Sequence, residues 1–128
     1  AQALAQLARV SANEGQLSVA LAWCEQAVAA AKLNPGYHYL LATILQEQGQ
    51  VAEAMQSLKR ALYLDQHFVL AHFALGTLTR RQGRLKESHK HLANALALLS
   101  AHAQDEILPE SEGMTAGRLR EIIRSTGG

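Results

Sequence analysis

The chain has 128 residues, of which 48% are hydrophobic but only 5% aromatic, and its 12 Lys and Arg nearly balance 11 Asp and Glu. That length suffices for a core without staples, and an aliphatic, alanine-rich composition favours helices packed through small side chains. The near-neutral charge gives no ground for a nucleic-acid partner, and one cysteine, Cys24, excludes an internal disulfide and a cysteine-based zinc site.

The sequence opens on Ala1 rather than Met and reads as a piece of a longer chain. It has no apolar run of about 18 residues, so no membrane-inserted helix is expected. It has no signal peptide either, and a cytoplasmic location is the expectation.

Residues 1–34 set a pattern that recurs. Leu7-Ala8 lie on a first helical stretch, Gly15 stands in "NEGQ", and Ala20, Cys24, Ala27 and Val28 follow on a second. Residues 35–68 repeat this 34 positions later with Leu41-Ala42, Gly49 in "EQGQ", then Ala54, Leu58, Ala61 and Leu62. Residues 69–102 repeat it again with Leu75-Gly76, Gly83 in "RQGR", then Ser88, Leu92, Ala95 and Leu96. Seven series in phase at one period define three units, each a helix, a glycine turn and a helix. In the second unit Leu41, Ala42 and Leu45 share one face, and Val51, Ala54, Leu58, Ala61 and Leu62 share another. Glycine fits the turn because the left-handed conformation costs it little. The alanines mark where two helices approach closely. Cys24 has no histidine near it in sequence and reads as a small buried hydrophobe.

Residues 103–128 break the repeat. Pro109 and Gly113 interrupt helix within the acidic run "DEILPESEGM", and Thr115 is a good N-cap for a short helix. On that helix Leu119, Ile122 and Ile123 share a face, with Arg118, Arg120 and Arg124 on the polar side. A stack of helices ends on an apolar face that needs a cover, so this segment is expected to be a cap. It would lie over the third repeat of its own chain or of a second copy.

The 34-residue helix–turn–helix unit resembles the tetratricopeptide repeat (TPR). The resemblance rests on Leu7-Ala8, Leu41-Ala42 and Leu75-Gly76, and on Ala20, Ala54, Ser88, Ala27, Ala61 and Ala95. The chain departs from the family at Leu4, His38 and His72 where Trp is common, and at Ser11, Leu45 and Thr79 where an aromatic is usual. Lys32, Gln66 and Ser100 stand where proline is frequent. The resemblance implies an all-α fold, a right-handed superhelix of three TPR units plus a C-terminal capping helix, with the first helices lining a concave groove. Carried over, the groove holds Gln2, Ala5, Arg9 and Asn13, then Tyr39, Leu40, Thr43 and Glu47, then Leu70, Phe73, Thr77, Arg80 and Arg81. The carboxylate clamp of some TPR domains maps onto Ala5, Arg9, Leu40, Leu70 and Ala74. Only Arg9 there is polar, so that clamp is absent. The expected peptide site is Arg9, Tyr39, Thr43, Leu70, Phe73, Thr77, Arg80 and Arg81, an aromatic floor with an arginine pair at one end, suited to an acidic peptide; the alternative is that Tyr39 and Phe73 simply pack between adjacent units.

The tail adds a second resemblance. "LPESEGMTAGRLREII" is similar to the closing segment of bacterial CheR-type methyltransferases that carry TPRs, through Ser111, Glu112, Gly113, Thr115, Ala116, Gly117 and Leu119. It implies a regulatory or docking domain of a protein whose missing part methylates chemoreceptor glutamates with S-adenosylmethionine. The partner would be a chemoreceptor, a pathway protein or the enzyme's own catalytic domain. Two other readings stand beside it: an adaptor in secretion or pilus assembly, and a self-association module giving a homodimer.

No catalytic chemistry is legible in this chain. There is no nucleophile–base arrangement and no glycine-rich phosphate loop, so no enzyme activity and no cofactor are expected. Six histidines lack metal spacing: no i, i+4 pair occurs, and His89 and His91 point to different sides of a helix. The basic run "RRQGRLKESHKH" and the acidic run "DEILPESEGM" are read either as solvated faces or as a pair folded together.

Overall fold

The computed structural model describes residues 1–126; Gly127 and Gly128, the end of the expected 103–128 segment, lie outside the described residues. Seven helices form among the described residues: α1 (Gln2–Asn13), α2 (Leu17–Ala30), α3 (Pro35–Glu47), α4 (Val51–Leu64), α5 (Val69–Arg81), α6 (Leu85–Leu99) and α7 (Ala116–Ser125). The only extended pairing there is an isolated bridge between Ile107 and Thr115. The fold is an all-α helical repeat. It divides into two compact units, Ala1–Gln66 with the first two helix pairs and His67–Gly128 with the third pair and the tail.

The three turns are the same turn made three times. Gly15, Gly49 and Gly83 have φ of +79°, +81° and +77°. In the first, Gly15 N donates to Ala12 O and Gln16 N to Ser11 O; Gly49 and Gln50, then Gly83 and Arg84, repeat both bonds. This is a Schellman motif, which satisfies the last carbonyls of the first helix and needs a left-handed residue at the glycine. The next residue's carbonyl then opens the second helix, as Ala20 N donates to Gln16 O. A helix thus ends and another begins within three residues, which forces the two to lie side by side.

In the first unit α1 packs on α2, α2 on α3 and α3 on α4. Ala8, Ala20, Cys24 and Ile44 form a fully buried cluster, with Ala12, Leu21, Trp23, Leu40 and Leu41 packed around it. The small side chains of α2 let the larger ones of α3 sit close. Asn34 caps α3 by accepting from Gly36 N at 2.9 Å, with Pro35 in the first turn.

In the second unit α5 packs on α6 and α6 on α7. Gly76 replaces the alanine of the earlier pairs for a visible reason: a Cβ there would stand 2.6 Å from Leu92 Cδ2. Ser88, which replaces Ala20 and Ala54, donates its hydroxyl to Gly76 O at 2.8 Å. The two substitutions belong together, because close approach brings the hydroxyl onto the carbonyl. Ser11, Leu45 and Thr79, where the repeat usually carries an aromatic, are all still buried.

The tail is a cap, built on its own chain. Thr115 Oγ1 accepts from Arg118 N at 3.1 Å, and Leu119 and Ile123 are fully buried while Ile122 is half-buried. Arg120, expected on the polar side, instead donates to Leu99 O at the end of α6 at 2.7 Å. A guanidinium is favoured there by the negative end of the helix dipole.

Candidate peptide-binding faces

Each unit carries its own share of the expected site. In the first, Arg9 on α1 and Thr43 on α3 are 34 residues apart and so occupy equivalent positions. Arg9 is half-buried and donates to Gln6 Oε1 at 3.3 Å. Tyr39 is half-buried one turn before Thr43. Thr43 is exposed, but its hydroxyl donates to Tyr39 O at 3.1 Å. In the second unit Phe73, Thr77, Arg80 and Arg81 fall on one face of α5 at i, i+4, i+7 and i+8. Thr77 also donates to its own helix, to Phe73 O at 2.9 Å. Both threonine protons are therefore spent on the backbone, and each hydroxyl offers a ligand only its acceptor side. Arg80 and Arg81 are exposed, a pair of cations about two turns beyond Phe73.

Two groove residues carried over from the resemblance are core instead. Ala5 is fully buried, since it lies one turn before Ala8 on the side of α1 that meets its neighbours. Leu70 is 5% exposed, because Phe68, Val69, Leu70 and Ala71 form a continuous apolar run that is buried whole at the start of α5. Neither offers a floor for a ligand.

The remaining polar groups serve structure. Arg84 pairs with Glu87 in the first turn of α6 at 2.6 Å, and His102, just ahead of the acidic run, pairs with Glu106 within it. His38 is 6% exposed and bonds Lys32 O through Nε2 at 2.8 Å, which makes that nitrogen the protonated one. His72, its equivalent in α5, lies with its ring 6.4 Å from that of His91 on α6. No group of three or more His, Cys, Asp or Glu suited to a metal ion occurs among the described residues. Burial pushes the Cys24 thiol up to about 12, with Glu25 adding to the shift, and its Sγ lies 3.8 Å from Tyr37 O. A thiol so held is not a nucleophile near neutral pH.

The tail residues that carry the second resemblance also have structural duties. Ser111 Oγ accepts from Met114 N, Gly113 has φ +97°, Ala116 is fully buried, and Gly117 donates to Gln104 O at 2.9 Å. A Cβ on Gly117 would stand 2.9 Å from that same oxygen. The motif is thus a recipe for this cap.

Other open surfaces were not anticipated from sequence. The outer side of α2 has a shallow depression lined by Ser18, Val19, Ala22, Trp23 and Gln26. Leu7 and Val10 on α1 are 44% and 54% exposed, and Tyr63 on α4 is almost fully exposed. The signal for α2 was available: a helix apolar nearly all round has more apolar surface than one packing face uses. No helix among the described residues is long and apolar enough to cross a membrane.

Comparison with known proteins agrees with this architecture. The family pattern of the tetratricopeptide repeat matches residues 35–68. None of the curated proteins matches the chain. Among solved structures, the type III secretion translocator chaperone SycD of Yersinia enterocolitica superposes with a TM-score of 0.83 at 17% identity, covering 98% of this chain and 85% of that one. PcrH in complex with the chaperone binding region of PopD gives 0.76 at 19%, covering 99% and 92%. MamA from Desulfovibrio magneticus gives 0.74 at 25%, covering 82% of this chain, which spans only 58% of the length of that structure. The two chaperone likenesses are likenesses of fold. The tetratricopeptide-repeat pattern is met by residues 35–68, and the described chain as a whole has an all-α helical-repeat fold.

Proposed function

We propose that this chain is a non-catalytic protein-interaction domain that holds an acidic peptide or protein segment on the exposed face of α5. The observation that carries this is that Arg80 and Arg81 share one face of α5 with Phe73, two turns from it, so that an extended segment could meet cations and an aromatic anchor together. Arg9, Tyr39 and Thr43 form a second set in the first unit. PcrH, of the same fold, is seen with a segment of PopD, which supports a peptide-binding role for this architecture.

Within that reading, the chain is the C-terminal docking domain of a CheR-type chemoreceptor methyltransferase acting in the cytoplasm, and its partner is a chemoreceptor or the catalytic domain. The support is the tail motif from Ser111 to Leu119. The likeness to SycD and PcrH favours a second reading, an adaptor in secretion.

The test is capture by the immobilised chain from bacterial lysate, read by mass spectrometry, beside Phe73→Ala/Arg80→Glu and Arg80→Glu/Arg81→Glu variants of unchanged helicity. Chemoreceptors or a methyltransferase catalytic domain on the wild type alone support the docking domain. Secretion substrates on the wild type alone transfer the case to the adaptor. Equal capture by both variants refutes the α5 face.

A further inference from the structure

The basic and acidic runs of the sequence lie in one unit but at opposite ends of one helix. Arg80 and Arg81 close α5 beside the turn into α6, and both are exposed. Asp105, Glu110 and Glu112 are exposed too, and their loop follows the other end of α6. The 15 residues of α6 make a rod about 22 Å long. Three bonds hold the loop at its far end: Arg120 donates to Leu99 O, Ala116 N to Glu106 O and Gly117 N to Gln104 O. The two runs complement each other in charge, yet are kept apart within one chain.

The loop presents what it carries. Ile107 and Thr115 pair across its base, and Leu108 N donates to Met114 O. Ser111 Oγ donates to Leu108 O at 2.5 Å and accepts from Met114 N at 3.0 Å, which ties the tip together. Leu108 is 2% exposed, whereas Ile107 beside it is 62% exposed. An open apolar side chain thus stands in an acidic segment that is already ordered, so docking it orders little further chain. The α5 face complements both features, with Phe73 for the apolar group and the arginines for the carboxylates. Phe73 lies seven and eight residues from the arginines along a helix, about 10–12 Å. Three residues separate Ile107 from Glu110, at most about 11 Å of chain.

We propose that the α5 face takes the acidic loop of a second copy of this chain, with Ile107 against Phe73 and the carboxylates of Glu110 and Glu112 against Arg80 and Arg81. This rests on the α5 reading above and names an occupant for that face. Basic face and acidic loop are different patches, so the contact is head-to-tail. Two copies that exchange loops close a dimer, and copies that do not exchange them form a chain. An acidic segment of another protein competes with the loop for the same face, so self-association and partner binding exclude one another.

The test is sedimentation velocity on the whole chain up to millimolar concentration. Wild type associates, and its Kd rises at least about tenfold when salt is raised from about 0.05 M to 0.5 M. Arg80→Glu/Arg81→Glu, Glu110→Lys/Glu112→Lys and Ile107→Ser each lose the association at unchanged helicity. An equal mixture of the two charge variants associates again, because each supplies the half that the other lacks. Lys59→Glu/Arg60→Glu, an equal change of charge at exposed cations of α4, leaves association as in wild type. A monomeric wild type overturns the proposal, as does association that survives any of the first three variants. A mixture that stays monomeric overturns it too, and so does loss in the α4 variant. A synthetic peptide with one phenylalanine and, three residues on, two glutamates separates this proposal from the α5 reading. A monomeric wild type that binds this peptide, and loses it in Arg80→Glu/Arg81→Glu, overturns self-association and leaves the α5 face standing. Failure of both measurements removes the two together.

Discussion

Gly76→Ala is the substitution whose outcome the packing of α5 on α6 fixes most tightly. The new Cβ would lie 2.6 Å from Leu92 Cδ2 and 2.8 Å from Leu92 Cγ. Carbon atoms rest at about 3.5–4.0 Å, so one group must move by roughly 1 Å. Leu92 is 1% exposed, so it cannot swing out into solvent, and either it leaves its rotamer or the helices separate. Overpacking of this kind costs about 1–3 kcal/mol. Against it stands the gain of alanine over glycine inside a helix, about 1 kcal/mol. The clash outweighs that gain over most of its range, and the net loss is about 0–2 kcal/mol. Separation would also stretch the 2.8 Å bond from Ser88 to Gly76 O. In urea the unfolding midpoint should fall by up to about 1 M. The informative assay is a double-mutant cycle with Leu92→Val, which trims the atom in the way. Within the cycle, Gly76→Ala should cost clearly less in the Val background than in wild type. A Gly76→Ala variant more stable than wild type, or a strictly additive cycle, would refute the argument that this glycine exists for close approach.

Two further outcomes follow from other parts of the molecule. Arg120→Met keeps the apolar stem but removes the charged bond to Leu99 O, and should cost about 1.5–3 kcal/mol. The loss should appear as faster exchange of α7 amides, and unchanged α7 protection would show that the bond does not hold the cap. Cys24 should resist a water-soluble thiol reagent in the native chain at neutral pH and react at once in denaturant. Its pKa, raised from 9.0 to about 12 on folding, means that the folded state binds more protons between those values. The stability this contributes is fully present below pH 9 and is lost as pH rises towards about 12, and a Cys24→Ala chain should lack that part of the alkaline slope. Native Cys24 reacting at the denatured rate would sink the claim.

Much of the architecture was legible in the amino-acid sequence because it is written three times. Gly15, Gly49 and Gly83 announced three turns, and all three adopt the left-handed conformation that a Schellman motif demands. The alanine and leucine series announced the contact faces, and Thr115 announced the start of α7. The candidate site was less legible. Position in a repeat says which way a side chain leaves its helix, but not how deep the helix is buried there. Leu70 shows this: its slot belongs to the groove by resemblance, yet the apolar run around it takes it into the core. Arg120 shows the converse, a residue on the polar side of α7 that reaches the end of α6.

The sequence by itself determined the period, the helix pairs, the turns between them and the presence of a cap, because each depends on residues a few positions apart. Tertiary structure alone decided which member of each series is covered. Leu7, Leu41 and Leu75 carry the same residue at the same phase, yet Leu7 is 44% exposed and Leu75 1%. Burial depends on what lies across from a side chain, and a local pattern is the same whether or not a neighbour is there to cover it.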